Sequence, residues 1–225
     1  MGRVSRVRYL RGNGRWKNRL TDLLVSHTES AAFELPLFPL TTVLFPGGVL
    51  PLKVFEQRYM DMAKRCLQDE SLFGVCLIKE GVEVGATAIP HMIGTLARIG
   101  HWDMAQLGVL NLRAIGAQRF QVLDYQTQED GLLLAQAIKL PLEPTIPLPP
   151  EHAACAAVLK RIVAHVGKEK FEPPFDFDDG VWTSYRLAEI MPIKATAKQD
   201  MLEMNDTLIR LDVLHKFLAQ QGLAT

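Results

Sequence analysis

The histidines are the first candidates for chemistry, because imidazole is the usual base and metal ligand near neutral pH. No two of them have the spacing of an H-E-x-x-H zinc helix. His101 and Asp103 share one predicted loop, and with Arg119 they are the set that would suit a small-molecule enzyme. Because a solvated loop is the simpler interpretation, we predict no catalytic residues and no metal site.

Other catalytic motifs are also missing from the sequence. A Walker A loop requires G-x-x-x-x-G-K-[ST], and neither Gly81–Gly85 nor Gly94–Gly100 has that form. No serine stands in a G-x-S-x-G elbow. The carboxylate pairs Asp178-Asp179 and Glu129-Asp130 adjoin glycines, where short acidic side chains stabilise turns. We therefore predict that the chain is not an enzyme and needs no cofactor.

Basic residues are concentrated at the N-terminus. Of 25 basic and 25 acidic residues, seven basic and two acidic ones lie in Met1–Ser30, which leaves 18 basic and 23 acidic residues elsewhere. An acidic body disfavours nucleic acid as a partner, except through the basic tail. We predict that this tail, Met1–Ala32, is disordered, with an organelle transit peptide or a start codon assigned too far upstream as alternatives.

Cysteine usage indicates the compartment. Cys66, Cys76 and Cys155 are odd in number and widely spaced, which is typical of reduced thiols in the core of a cytoplasmic protein. No apolar run approaches the roughly 20 residues that a membrane span needs. We predict a cytoplasmic protein that does not use a membrane as a partner.

The stretch Glu34–Tyr59 organises the rest of the fold. Its prolines and the pair Gly47-Gly48 separate short apolar runs, which predicts a strand, a tight loop and a second strand. A helix follows, because Tyr59, Ala63 and Cys66 recur at helical spacing.

Further short apolar runs, separated by turn signals, predict a β-barrel. Strands spaced about 8–12 residues apart, with one helix among them, are typical of a small closed or half-closed barrel. The predicted strands are Phe73–Lys79, His91–Ile99, Val109–Gly116, Phe120–Tyr125 and Leu132–Leu140, with a loop at His101–Gln106.

Five prolines between Leu140 and Pro150 predict a semi-rigid linker before a helical region. Asp179 is placed to cap one helix, and the capping box Thr196–Gln199 opens a last helix that extends to Leu218. The predicted organisation is a tail at 1–32, a β pseudo-barrel at 33–141, a proline-rich linker at 142–150 and a helical bundle at 151–225.

The order P-L-F-P-L-x-x-x-L-F-P-G-x-x-L-P-L-x-V-F-E-x-R-Y from Pro36 to Tyr59 resembles the opening of the Lon protease N-terminal (LON substrate-binding) domain family. Gly94–Ile99 looks like the family's G-T-x-A-x-I strand, and Gly116–Phe120 looks like its G-x-x-R-F corner. The helical half resembles the family at Leu187-Ala188, Pro192, Lys198-Gln199, Leu202-Glu203 and Arg210-Leu211, with Met201 in place of a leucine.

The resemblance implies an α+β fold, a PUA-like β pseudo-barrel followed by a small C-terminal helical bundle. It also implies a role, since this domain selects protein substrates in Lon proteases, whose ATPase and protease domains lie further along the chain. The residues up to Thr225 contain neither. We therefore expect a stand-alone, non-catalytic, proteolysis-associated module of protein quality control.

The expected partners are unfolded or damaged polypeptides, or one specific protein. We predict that extended segments dock by strand addition at a barrel edge, with apolar side chains in the barrel–bundle groove. Phe45, Tyr59, Phe171 and Phe175 are the candidate peptide-binding residues. Phe171 and Phe175 stand in an acidic, proline-rich loop where exposed aromatics suggest docking, although they would otherwise close the seam between barrel and bundle.

Two rival functions remain. PUA-like barrels include RNA-binding modules, and the basic tail would supply the charge that such a module needs. A small-molecule enzyme would instead place His101, Asp103 and Arg119 around one pocket.

Overall fold

The structure is a computed structural model that describes residues 31–85 and 88–223, with the main chain alone for Ala105. The predicted tail Met1–Ala32 lies outside the described residues except for its last two positions. The strands are β1 (Phe33–Leu40), β2 (Val49–Val54), β3 (Phe73–Glu80), β4 (Ile89–Pro90), β5 (Ile93–Gln106), β6 (Val109–Thr127) and β7 (Leu133–Lys139). The helices are α1 (Gln57–Gln68), α2 (Ala153–Val166), α3 (Gly180–Ile190), α4 (Ala195–Glu203) and α5 (Thr207–Gln220).

The strands form a β pseudo-barrel. Their order is β1-β7-β6-β5-β3-β4, and the parallel pairing of β1 with β3 brings the sheet back to its first strand. Glycines allow the interior to pack closely around Phe120. A Cβ on Gly74 would stand 2.6 Å from Phe120 Cζ, and one on Gly94 would stand 2.4 Å from the carbonyl oxygen of Val75.

Helices α2–α5 form the bundle that follows the barrel. Leucines of all four helices (Leu159, Leu187, Leu202, Leu211, Leu214 and Leu218) are buried in its core, together with Phe45 from the barrel. The Asp179 carboxylate accepts hydrogen bonds from the Val181 and Trp182 amides, so the predicted cap of α3 is confirmed. The α+β class, a pseudo-barrel followed by a helical bundle, is the predicted one.

Three local predictions were wrong. The stretch His101–Gln106 is the outer part of β5 and not a loop, because β6 pairs with it up to the Gln106–Val109 turn. Val109–Gly116 and Phe120–Tyr125 belong to one strand, β6. The residues between them remain in this strand, where its pairing with β5 is irregular. The last helix is two helices, because Asp206 caps a new helix through the amides of Leu208 and Ile209.

The predicted linker 142–150 lies against α3 and α5. Its backbone forms an isolated bridge between Pro147 and Asp179, and the Gly180 amide donates to the Ile146 carbonyl at 2.8 Å. The Glu143 side chain accepts hydrogen bonds from the bundle. The domain boundaries themselves remain a prediction. Among the described residues, no helix combines the length and apolar content needed to cross a membrane.

Candidate functional site

A three-stranded arm extends from the barrel. β5 pairs with β3 only from Thr95 to Ala97, but its pairing with β6 continues to Gln106. β6 in turn pairs with the whole of β2. The outer parts of β5 and β6, together with β2, therefore form what we call the hairpin arm, with the strand order β2-β6-β5.

The two faces of the hairpin arm differ in character. Trp102 lies opposite Leu112, which is buried in the same core cluster as the apolar face of α1. Because side chains alternate along a strand, His101 and its partner Arg113 lie on the other face. The arm thus continues the barrel core outward along its inner face, the face of Trp102.

An apolar groove of about 390 Å³ lies between α1 and this inner face. Trp102 is 51% exposed and Met104 is 47% exposed, and Leu107 at the hairpin tip is 95% exposed. Neighbouring exposed apolar side chains of this size are typical of an interaction surface. We call this feature the hairpin groove, and it is lined by Gln57, Met60, Asp61, Lys64, Leu67, Gln68, Trp102, Met104 and Leu110.

The charged side chains of the hairpin groove balance each other. Its lining includes one acid, Asp61, and one base, Lys64. Asp61 accepts a hydrogen bond of 2.9 Å from the Gln57 amide. Among the described residues, no cluster of His, Cys, Asp or Glu side chains could hold a metal ion. The groove is suited to bind apolar side chains.

A second assembly joins the barrel to the bundle. Glu143 is its centre, and it accepts hydrogen bonds of 2.6 Å each from Arg210 and Thr207, and a further one from the Tyr185 hydroxyl. Arg119 of β6 lies 3.3 Å from the same carboxylate. We call these five residues the seam cluster.

The break between α4 and α5 completes the seam cluster. Arg119 donates to the carbonyls of Leu202 and Met204 at 2.8 and 3.0 Å, and to the Asn205 side chain at 3.0 Å. These carbonyls are available because α4 ends at Glu203 and its last turn leaves acceptors without helical partners. Arg119 of β6 is therefore a polar anchor that ties the bundle to the barrel.

The charge state of Glu143 follows from its partners. Burial alone would raise the pKa of this carboxyl, but the hydrogen bonds from Arg210, Thr207 and Tyr185 outweigh burial and hold the pKa below its usual value. Burial raises the pKa of the Tyr185 hydroxyl above its usual range. Glu143 is thus a fixed anion between two arginines, and its role is to hold barrel and bundle together.

The four predicted peptide-binding residues are not gathered on one open surface. Phe45 is buried in the bundle core and packs against the Tyr185 ring at 5.7 Å. Tyr59 is buried and stacks on the Phe38 ring at 4.0 Å. Phe171 is buried in the bundle core, while Phe175 is half-buried. Three of the four residues therefore lie in the interior of the protein.

The loop that carries Phe171 and Phe175 lies on the outer face of the hairpin arm. Glu172 is held by Arg98 at 2.7 Å and by Arg113 at 2.9 Å. Phe175 packs near the Trp182 ring at 6.1 Å. The loop thus closes the seam, which is the alternative to docking that the sequence left open.

The rival enzyme site is not assembled in this structure. Arg119 is buried and lies opposite Thr95, whereas His101 and Asp103 are exposed on the hairpin arm, six and eight residues further along β5. At the rise of an extended strand, these two separations are roughly 20 and 26 Å. The interpretation of His101, Asp103 and Arg119 as one pocket was therefore wrong.

Sequence reasoning missed Trp102, Met104 and Leu107. The signal for these residues was present, because Trp102 and Met104 alternate with His101 and Asp103 as in a half-buried strand. The polar residues between them favoured the loop interpretation.

The comparisons with known proteins agree with this fold. The model of the family described as ATP-dependent protease La (LON) substrate-binding domain matches residues 34–220. The chain is similar to a crystal structure of a Lon N-terminal domain protein from Xanthomonas campestris, with a TM-score of 0.68, 35% identity, and 81% of this chain and 96% of that chain covered. A Lon protease N-terminal domain of the Mycobacterium avium complex, at 16% identity and a TM-score of 0.58, shares the fold.

Longer proteins also match. Cereblon from Xenopus tropicalis is 31% identical over 127 residues, which are 55% of this chain and 27% of cereblon. A Lon protease from Heliobacterium modesticaldum is 25% identical over 198 residues, which are 84% of this chain and 24% of the protease. The matched region thus spans about a quarter of these relatives.

Proposed function

Because the chain belongs to the family of ATP-dependent protease La (LON) substrate-binding domains, we propose that it is a non-catalytic polypeptide-recognition module. Its binding surface is the hairpin groove, and its partners are apolar segments of unfolded or damaged polypeptides. Membership of the family supports a polypeptide partner, and the exposed apolar residues of the groove support this surface as its binding site.

The observation that carries this proposal is the exposure of Trp102 and Met104 beside α1, with the exposed Leu107 at the tip of the same hairpin. Met60 and Leu67 on α1 provide the facing apolar wall. When an apolar side chain enters this groove, both its own surface and the groove surface are removed from water. The favourable free energy is about 25 cal/mol for each Å² of apolar surface buried. Tryptophan is also enriched among the residues that dominate binding energy at protein interfaces.

The other predicted residues have supporting parts in this proposal. Tyr59 belongs to the buried face of α1, so it fixes the helix that forms one wall of the groove. Phe45 and Phe171 stabilise the contact between barrel and bundle. Cytoplasmic localisation remains a prediction, supported by the three cysteines, which are buried and free in the structure.

A titration of the full chain tests this function. A labelled, permanently unfolded polypeptide, such as reduced and carboxymethylated α-lactalbumin, is compared with single-stranded RNA at low and high salt. We expect polypeptide binding that persists at high salt, because apolar burial is not screened by ions.

The matched control is a variant that lacks Met1–Ala32. Polypeptide binding should survive this deletion. RNA binding that survives the deletion and falls steeply with salt would instead support the nucleic-acid alternative. Binding of neither probe would contradict general polypeptide recognition.

A further inference from the structure

We infer that the hairpin groove takes its polypeptide as an added β-strand, hydrogen-bonded to the outer edge of β5 along residues 99–106. This inference rests on the proposed function and specifies how the partner is held. The main chain of β5 would hydrogen-bond the partner, in addition to the apolar contacts made by the side chains of the groove.

The outer edge of β5 has no strand partner in the described part of the chain. Pairing with β3 ends at Ala97, whereas pairing with β6 on the opposite side continues to Gln106. In an antiparallel pair, every second residue directs its N–H and C=O away from the partner strand. The residues of 99–106 whose main-chain groups point away from β6, Asp103 not counted among them, therefore offer donors and acceptors to an incoming segment.

The other edge of the hairpin arm provides an internal comparison. β2 contains Pro51, which lacks an N–H donor, and Lys53, whose charge discourages strand pairing. Its Val49 amide already donates to Glu189 at 3.2 Å. Residues 99–106 contain no proline, lysine, arginine or glutamate. The outer part of β5 has one acidic residue, Asp103, and its pairing with β6 is irregular between Ile99 and His101 and between Asp103 and Gln106. Unlike β2, it has a main-chain N–H at every position, so the main chain of β5 is more available to an added strand than that of β2.

The hairpin groove lies on the β5 side of the arm. Its lining includes two residues of β5, one of β6 and none of β2. An added strand would direct alternate side chains to the face of Trp102 and Met104, opposite Met60 and Leu67. Since the lining charges Asp61 and Lys64 balance, the preferred occupant is an uncharged, proline-free extended segment with apolar residues at every second position.

Backbone methylation of a peptide probe tests the added strand. The probe is a seven-residue peptide that alternates threonine with valine or phenylalanine, acetylated and amidated at its ends. One analogue carries N-methyl groups on the valine and phenylalanine nitrogens, and a second carries them on three threonine nitrogens. Only one set of amides can face β5, so we expect one analogue to bind at least about tenfold more weakly and the other to lose less than about twofold.

Amide hydrogen exchange measures directly which main-chain N–H groups of the protein the peptide protects. The amides of residues 99–106 should become protected when the unmethylated peptide binds, while the amides of β2 stay unchanged. Equal loss of affinity for both methylated analogues, or binding without protection of 99–106, would overturn the added strand.

The failure of this inference is distinguishable from failure of the proposed function. Suppose that the unmethylated peptide binds, that its binding requires Trp102, and that the two methylations weaken it equally. The groove would then still be the binding surface, and only the added strand would be rejected. Sedimentation of the peptide-free protein should give a monomer. A dimer that the peptide does not dissociate would overturn the inference, because a second copy would then occupy the edge.

Discussion

The hairpin groove and the seam cluster share strand β6 and differ in what fills them. β6 contributes Leu110 to the groove, and the neighbouring β5 contributes Trp102 and Met104, which remain about half exposed. β6 also carries Arg119 to the seam, where the bundle supplies acceptors for it. The aromatic and charged residues that the sequence suggested for partner binding are thus mostly buried in contacts within the chain. The proposed binding surface lies instead where apolar side chains remain exposed.

The seam should give the largest effect on stability. Replacement of Glu143 by leucine leaves the Arg119 and Arg210 guanidinium groups buried without their anion, and we expect a loss of about 3–5 kcal/mol in the free energy of unfolding. Urea denaturation measures this change. Glu129→Leu, at an exposed turn position, is the control and should change stability by less than about 0.5 kcal/mol. A mild effect of Glu143→Leu would mean that the seam does not join the two halves.

Phe171 separates the two regions most clearly. Its side chain is buried in the bundle core, so Phe171→Ala should lower the free energy of unfolding by about 3 kcal/mol while the folded protein retains its affinity for unfolded polypeptide. Thermal unfolding and a binding titration below the transition measure both quantities. Phe55→Ala, at a site that is 55% exposed, is the matched control with little effect on stability. Weakened binding at an unchanged melting temperature would place Phe171 on the binding surface instead.

The smallest effect is the pH dependence of the seam. Because its hydrogen bonds lower the pKa of Glu143 in the folded chain, this carboxyl stabilises the fold fully above its ordinary pKa of 4.5. The contribution is lost as pH falls through the lowered value. The stability difference between the natural chain and Glu143→Gln should therefore shrink from pH 7 to pH 3, as measured by urea midpoints. A difference that grows in acid would contradict this sign.

The sequence predicted much of the fold because local signals and long-range packing agreed. The helical spacing of Tyr59, Ala63 and Cys66 placed α1, and all three are buried. Asp179 marked the start of α3. The split between α4 and α5 was missed because the apolar stripe from Met201 to Leu218 continues across it, and the turn is stabilised by Arg119, more than 80 residues earlier in the chain.

The site was harder to predict than the fold. Exposure is a property of the assembled structure. No local sequence pattern shows that Phe45 is buried in the bundle core while Trp102 is half exposed to solvent. The aromatic loop at Phe171 looked exposed because its sequence is acidic and rich in proline. Glu172 in fact pairs with Arg98 and Arg113 from the barrel, and these ion pairs join residues 59 and 74 positions apart.

The most direct test of the hairpin groove is the affinity of a Trp102→Ala/Met104→Ala double variant for unfolded polypeptide. Both side chains are about half exposed, so we expect at least about tenfold weaker binding with a change of less than about 1 kcal/mol in the free energy of unfolding. Leu123→Ala, at a barrel position that is also 51% exposed, is the matched control and should bind like the natural chain. Unchanged affinity in the folded double variant would contradict the assignment of the groove as the binding surface.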